Sequence, residues 1–136
     1  MFTNDLVVKR DISIDHKWIL IEELTYVNDE LTITVKEGFD FDFASSPQTP
    51  IISLLFPKSG TETDRAAALH DALYSCEYFV RKICDDLFLE AMESDGVEYI
   101  KRHVMYYVVR LFGWYVWNKH SYEEVQEYKK FVEVTQ

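Results

Sequence analysis

The hydrophobic pattern of this chain changes period once. It passes near Thr61 from a two-residue alternation to helical spacing. Strands are therefore expected first and helices after, an α+β fold with the two kinds of element segregated along the sequence. Within the first forty residues, Trp18-Ile19-Leu20-Ile21 opens an apolar strand that runs to about Tyr26. Val27-Asn28-Asp29-Glu30 supplies turn residues, and Leu31-Thr32-Ile33-Thr34-Val35 alternates apolar and polar with β-branched side chains. This is the pattern of a β-hairpin. Leu6-Val7-Val8 fits a shorter strand, with Asp11 to His16 as the connection.

From Gly38 to Pro57 the chain reads as an ordered loop. It contains three prolines, Ser45-Ser46 and the alternation Phe39-Asp40-Phe41-Asp42-Phe43. In an extended segment the phenylalanines and aspartates point to opposite sides, and Phe burial with Asp exposure explains the pattern without a function.

Three or four helices follow. Thr61 with Asp64 resembles a cap, and Ala66, Leu69, Leu73 and Cys76 form one apolar stripe. A second helix spans Val80 to Ser94 and stops at Asp95-Gly96, which fits a left-handed cap. The third, Val97 to about Trp117, is apolar around most of its circumference and reads as the central helix of the core. Ser121 and Glu124 make a capping box for a last helix, whose Tyr122, Val125, Tyr128 and Val132 supply an apolar side. Trp114, Tyr115 and Trp117 read as core residues in preference to a membrane-interface belt.

A length of 136 residues, with 48% hydrophobic side chains, suits a single domain with a core of its own. Its expected parts are the hairpin region 1–37, the loop 38–60 and the helical region 61–134. A formal charge of −10 argues against nucleic acid as a ligand and favours a divalent cation or a basic protein surface. Lys101, Arg102 and Arg110 interrupt the most apolar segment, so no transmembrane span is expected. The N-terminus lacks the features of a secretory signal peptide. Cys76 and Cys84 fit two buried thiols in a reducing compartment, although a single bridge between them stays open.

The candidate chemistry lies in Asp64-Arg65-Ala66-Ala67-Ala68-Leu69-His70-Asp71-Ala72-Leu73-Tyr74. Helical spacing sets His70 at the edge of the apolar stripe with Tyr74 beside it, and turns Asp71 towards the margin. On the next helix Asp86 shares a solvated face with Glu90 and Glu93. Asp85, by contrast, has Phe88, Leu89 and Met92 at i+3, i+4 and i+7. A carboxylate on an apolar face needs a partner, and His70 on the preceding antiparallel helix is the candidate. Such a pair fixes the imidazole tautomer and leaves its other nitrogen able to take a proton from water. Asp71, with oxygens from the loop at Gly38 to Ser46, is the expected seat of a Ca²⁺ ion. The alternative is a satisfied buried network in which His70, Asp85 and Tyr74 tie two helices together. His16, His103 and His120 have no carboxylate or cysteine at ligand spacing and read as surface or core histidines.

Two resemblances bear on this choice. Gly38-Phe39-Asp40-Phe41-Asp42-Phe43-Ala44-Ser45-Ser46-Pro47, His70-Asp71-Ala72-Leu73-Tyr74, Asp85 to Met92, and Met105-Tyr106 through Val109-Arg110-Leu111-Phe112-Gly113 follow one another as in an uncharacterised family of tailed phages and prophages. The likeness covers about Trp18 to Trp117 and implies a phage origin without a reaction. It places the protein in the host bacterial cytoplasm or in the virion, with other virion proteins or a host protein as partners.

Locally, Asp64, Arg65, His70, Asp71 and Tyr74, followed by Cys84-Asp85, resemble the active-site helices of secretory phospholipase A2. That resemblance implies His70 as general base, Asp85 as its orienting partner and Tyr74 as a hydrogen-bond support to Asp85. It implies Asp71 as a Ca²⁺ ligand and a lipid ester as substrate. The phospholipase cysteines flanking the histidine are replaced by Ala66, Ala67 and Leu73, and its glycine-rich calcium loop has no counterpart. The loop at Asp40 to Ser46 must then supply ligands in another way, with Asp42 the foremost. Two functions are expected from these residues: a cation-assisted ester hydrolase, or a non-enzymatic virion component or host-directed binding factor.

Overall fold

A computed structural model of the chain describes residues 1–13, 17–41 and 62–136. The strands are β1 (Val8–Arg10), β2 (Trp18–Leu20), β3 (Leu24–Val27), β4 (Thr32–Val35) and β5 (Asp40–Phe41). Among the described residues four helices follow, α1 (Asp64–Cys76), α2 (Arg81–Ser94), α3 (Tyr99–Trp117) and α4 (Tyr122–Tyr128), and then a 3-10 turn (Lys129–Phe131) and strand β6 (Val132–Thr135). The architecture is α+β. The strands form two antiparallel sheets, ordered β1-β2-β5 and β3-β4-β6.

The hairpin is β3–β4. Leu24 lies opposite Val35 and Tyr26 opposite Ile33, and all four are buried, as the two-residue alternation requires. Asn28 holds the turn, its Oδ1 accepting from the backbone N–H of Glu30 and Leu31. The expected single strand from Trp18 to Tyr26 is divided, because a straight strand would put Glu22 on the same inward face as Leu20, Leu24 and Tyr26. A bend at 21–23 exposes Glu22 and Glu23 and sends Trp18–Leu20 into the other sheet. Phe39 and Phe41 are buried while Asp40 is partly exposed, paired with Lys17 at 2.5 Å and accepting from the Tyr128 hydroxyl. The second half of that alternation, from Asp42, lies outside the described residues.

A second difference concerns the C-terminus. The last helix stops at Tyr128, and Val132, expected on its apolar side, instead begins β6, which pairs with β4 so that Val132 faces Val35. Val132-Glu133-Val134-Thr135 alternates and is β-branched at three of four positions, a strand pattern that the preceding helical spacing masks. The Ser121–Glu124 capping box opens α4 as expected.

Helix α1 occupies the centre. Ala66, Ala68, Leu69, Ala72, Leu73 and Cys76 are all buried, and the alanines let neighbouring elements approach it closely. It begins at Asp64 after Thr63, and the expected cap Thr61 lies outside the described residues. Four residues, 77–80, turn the chain back into α2, and Arg65 near the start of α1 holds Asp95 at the end of α2 with hydrogen bonds of 3.1 and 2.6 Å. The two helices therefore run antiparallel. Gly96 closes α2 at φ +77°, where its N–H reaches Glu93 and the N–H of Val97 reaches Met92.

Helix α3 is not the core helix that its composition suggests. Met105 and Gly113 are its buried residues, and Ile100, Tyr107, Leu111, Trp114 and Tyr115 lie exposed. A helix apolar on all sides does not reveal which side packs; here α1 has taken the central place and α3 covers α2 from outside. Trp114 and Tyr115 are thus not core residues, while Trp117 packs edge-on against Tyr74 with ring centroids 5.1 Å apart. Both cysteines are buried and unbridged. Burial pushes the Cys84 thiol up to about 12 and raises that of Cys76, which makes both poor nucleophiles. Among the described residues no helix is long and apolar enough to cross a membrane.

Candidate functional site

One helical turn separates His70 from Tyr74 on α1, so both side chains leave the same face. Across from them stands Asp85 of α2, fully buried. His70 Nε2 lies 2.8 Å from Asp85 Oδ1, and the Tyr74 hydroxyl donates to the same oxygen at 2.6 Å. Since a carboxylate offers only lone pairs, Nε2 carries the proton, and the basic lone pair of the neutral ring sits on Nδ1. No described residue hydrogen-bonds Nδ1. The imidazole is held on its faces by Phe88 and Tyr74, with ring centroids at 4.6 and 4.2 Å.

The second carboxylate oxygen is also engaged. Arg110 of α3 donates from Nη1 to Asp85 Oδ2 at 2.6 Å, and Arg81, one turn before Asp85 on α2, places its Nη1 3.5 Å from that oxygen. Arg81 Nη1 also donates to the backbone carbonyls of Val109 and Arg110. Three helices therefore converge on one carboxylate. Burial by itself would raise the Asp85 carboxyl, but hydrogen bonds from His70, Tyr74 and Arg110 outweigh it and hold the group below the ordinary carboxylate value. Burial and the Asp85 charge push the Tyr74 phenol well above its usual range, so it remains a hydrogen-bond donor.

Close packing brings α3 into this arrangement. A Cβ on Gly113 would lie 2.5 Å from the Tyr74 hydroxyl and 3.3 Å from Arg81 Nη1. Glycine is needed there for proximity and not for its backbone angle.

The structure brings together His70, Tyr74 and Asp85 of the expected site residues. Asp71 follows His70 on the half-buried margin of α1, and Asp42 lies outside the described residues. Among the described residues no group of three or more His, Cys, Asp or Glu side chains is arranged to hold a metal. They do not by themselves make the calcium site that the phospholipase likeness implies, since Ca²⁺ takes six or more oxygens. The other histidines divide. His103 bonds the Tyr99 carbonyl, His120 stands 3.7 Å from Glu77, and His16 is outside the described residues.

Sequence reasoning gave no role to Arg81, Arg110 or Gly113. Arg81 was open to detection as an i,i+4 partner of Asp85. Arg110 and Gly113 fall within the Met105 to Gly113 stretch singled out in the sequence, but their approach to Asp85 and Tyr74 needs the α2–α3 crossing.

The family model described as "Protein of unknown function (DUF1353)" matches residues 18–109 of the chain. The chain belongs to the DUF1353 family. The DUF1353 match takes in His70, Tyr74, Arg81 and Asp85 and stops one residue short of Arg110. Neither a curated protein nor a solved structure gives a significant match.

Proposed function

We propose that this DUF1353 protein is a phage-encoded ester hydrolase acting on a lipid-like ester, with His70 as general base. The observation that carries this reading is the bond from His70 Nε2 to Asp85 Oδ1, supported by Tyr74 on the same oxygen. In this arrangement Asp85 fixes the tautomer, and Nδ1 takes a proton from water as the water oxygen bonds to the ester carbonyl carbon. The protonated imidazole then returns the proton to the departing alkoxide as the C–O bond breaks. Asp85 stabilises the transient imidazolium. The roles match those implied by the phospholipase A2 resemblance, and the phage origin rests on the motif order.

A second reading is favoured by the saturation of Asp85, which accepts from α1 and α3 and stands in ion-pair range of Arg81 of α2 while fully buried. Here the same residues are a structural clamp in a virion component or a host-directed binding factor.

Purified protein incubated with phospholipid vesicles and a chromogenic ester, with calcium or with chelator, separates the two. The hydrolase reading expects turnover, and a loss in kcat of about 10² to 10⁴ in His70→Gln at nearly unchanged Tm. A wild type without turnover in every condition, together with a lowered Tm in His70→Ala, sinks it in favour of the clamp.

A further inference from the structure

We propose that the outer face of α3 is the interface of a homodimer, in which two copies pack antiparallel along Ile100, Val104, Tyr107, Leu111 and Trp114. These residues follow one another at spacings of 4, 3, 4 and 3, the spacing of a coiled-coil seam. Each is exposed, by 67, 38, 59, 65 and 54% respectively. The opposite side of α3 already packs on the protein through Met105 and Gly113, and none of the described residues covers this stripe. Together the five side chains expose on the order of 600 Å², at the upper end of what a monomeric surface carries in one patch. The exposed Tyr115, next round the helix from the stripe, brings the face close to the ~800 Å² that each partner contributes to a stable interface.

Charge selects the occupant. From Tyr99 to Trp117 there is no Asp or Glu in a chain of net charge −10. The cations beside the stripe are already neutralised from within: Lys101 by Glu62, Arg102 by Glu93 and Arg110 by Asp85. Two copies meeting along α3 therefore confront neither carboxylates nor unpaired cations. An anionic lipid surface is disfavoured by the net charge. Tyr107 lies seven residues from both Ile100 and Trp114, so a two-fold axis passing beside it sets Ile100 of one copy against Trp114 of the other and Val104 near Leu111. The patch is then self-complementary, as an isologous contact requires.

Sedimentation velocity on the whole chain over a concentration series tests this directly. A concentration-dependent dimer is expected, and Leu111→Glu should weaken it by a factor of about thirty or more with an unchanged circular dichroism spectrum. Under mild oxidation Tyr107→Cys should cross-link two copies and Ile100→Cys should not, because only residue 107 meets itself. A monomer at every concentration, a dimer indifferent to Leu111→Glu, or cross-linking through Ile100→Cys each overturns the proposal. So does a monomer that binds zwitterionic vesicles in a Leu111-dependent way, which would make the face a lipid-docking surface.

Discussion

Arg110 Nη1 donates to Asp85 Oδ2 at 2.6 Å, on the oxygen opposite to the one that accepts from His70 and Tyr74. The charge of a fully buried carboxylate is thereby met from a third helix, and α3 becomes part of the candidate site. Arg110→Ala should lower stability by about 3 kcal/mol, near the lower end for breaking a buried ion pair because Arg81 remains nearby. Urea unfolding would measure it. A change below about 0.5 kcal/mol would mean that the Asp85 charge is balanced without α3.

The lowered Asp85 carboxyl carries a pH signature. Its value in the folded chain lies below the ordinary 3.8, so the folded state holds the proton less tightly than the unfolded chain. The stabilisation is complete above the ordinary value and is lost as pH falls through the lowered one. Thermal melts of wild type and Asp85→Asn from neutral to strongly acid pH should show a Tm gap that is widest near neutrality and closes in acid. A gap that stays constant with pH would contradict the assignment.

Gly113→Ala should destabilise the chain although alanine is the better helix former by about 1 kcal/mol. Its Cβ would come 2.5 Å from a Tyr74 hydroxyl that Asp85 holds in place, and such overpacking costs about 1–3 kcal/mol. Removing the hydroxyl should relieve part of that cost. Calorimetry on Gly113→Ala in the wild-type and Tyr74→Phe backgrounds would show the substitution as less harmful in the second. Equal effects in both would exclude this contact as the cause.

Strand β6 closes the free edge of β4 and buries Val132 against Val35. Truncation after Phe131 should lower Tm by about 5 °C or more and promote aggregation through the exposed β4 edge. An unchanged melting curve would show that the pairing adds nothing.

Much of the site was open to sequence reasoning because it lies on two consecutive helices joined by a short turn. Helical spacing put His70 and Tyr74 on one face. The apolar neighbours Phe88 and Met92 marked Asp85 as a carboxylate that needed a partner, and the structure places it at 2.8 Å from His70. The guanidinium groups were less accessible. Arg110 lies 25 residues from Asp85 and meets it through the crossing of α2 and α3, which no local periodicity encodes.

By itself the sequence determined the α+β class, the β3–β4 hairpin with its Asn28 turn, the ends of α2 and the cap of α4. These depend on interactions within a few residues, which the order of side chains specifies directly. Tertiary structure decided which apolar helix became central. The alanines of α1 allow close approach from several sides, so α1 took the core and the bulkier α3 was left with an outward stripe from Ile100 to Trp114. It also divided the expected first strand, since two sheets had to share one core without burying Glu22. Long-range packing likewise drew Val132 to Thr135 from a helix into the β4 edge, where an unpaired strand offers hydrogen bonds that a frayed helical end cannot match.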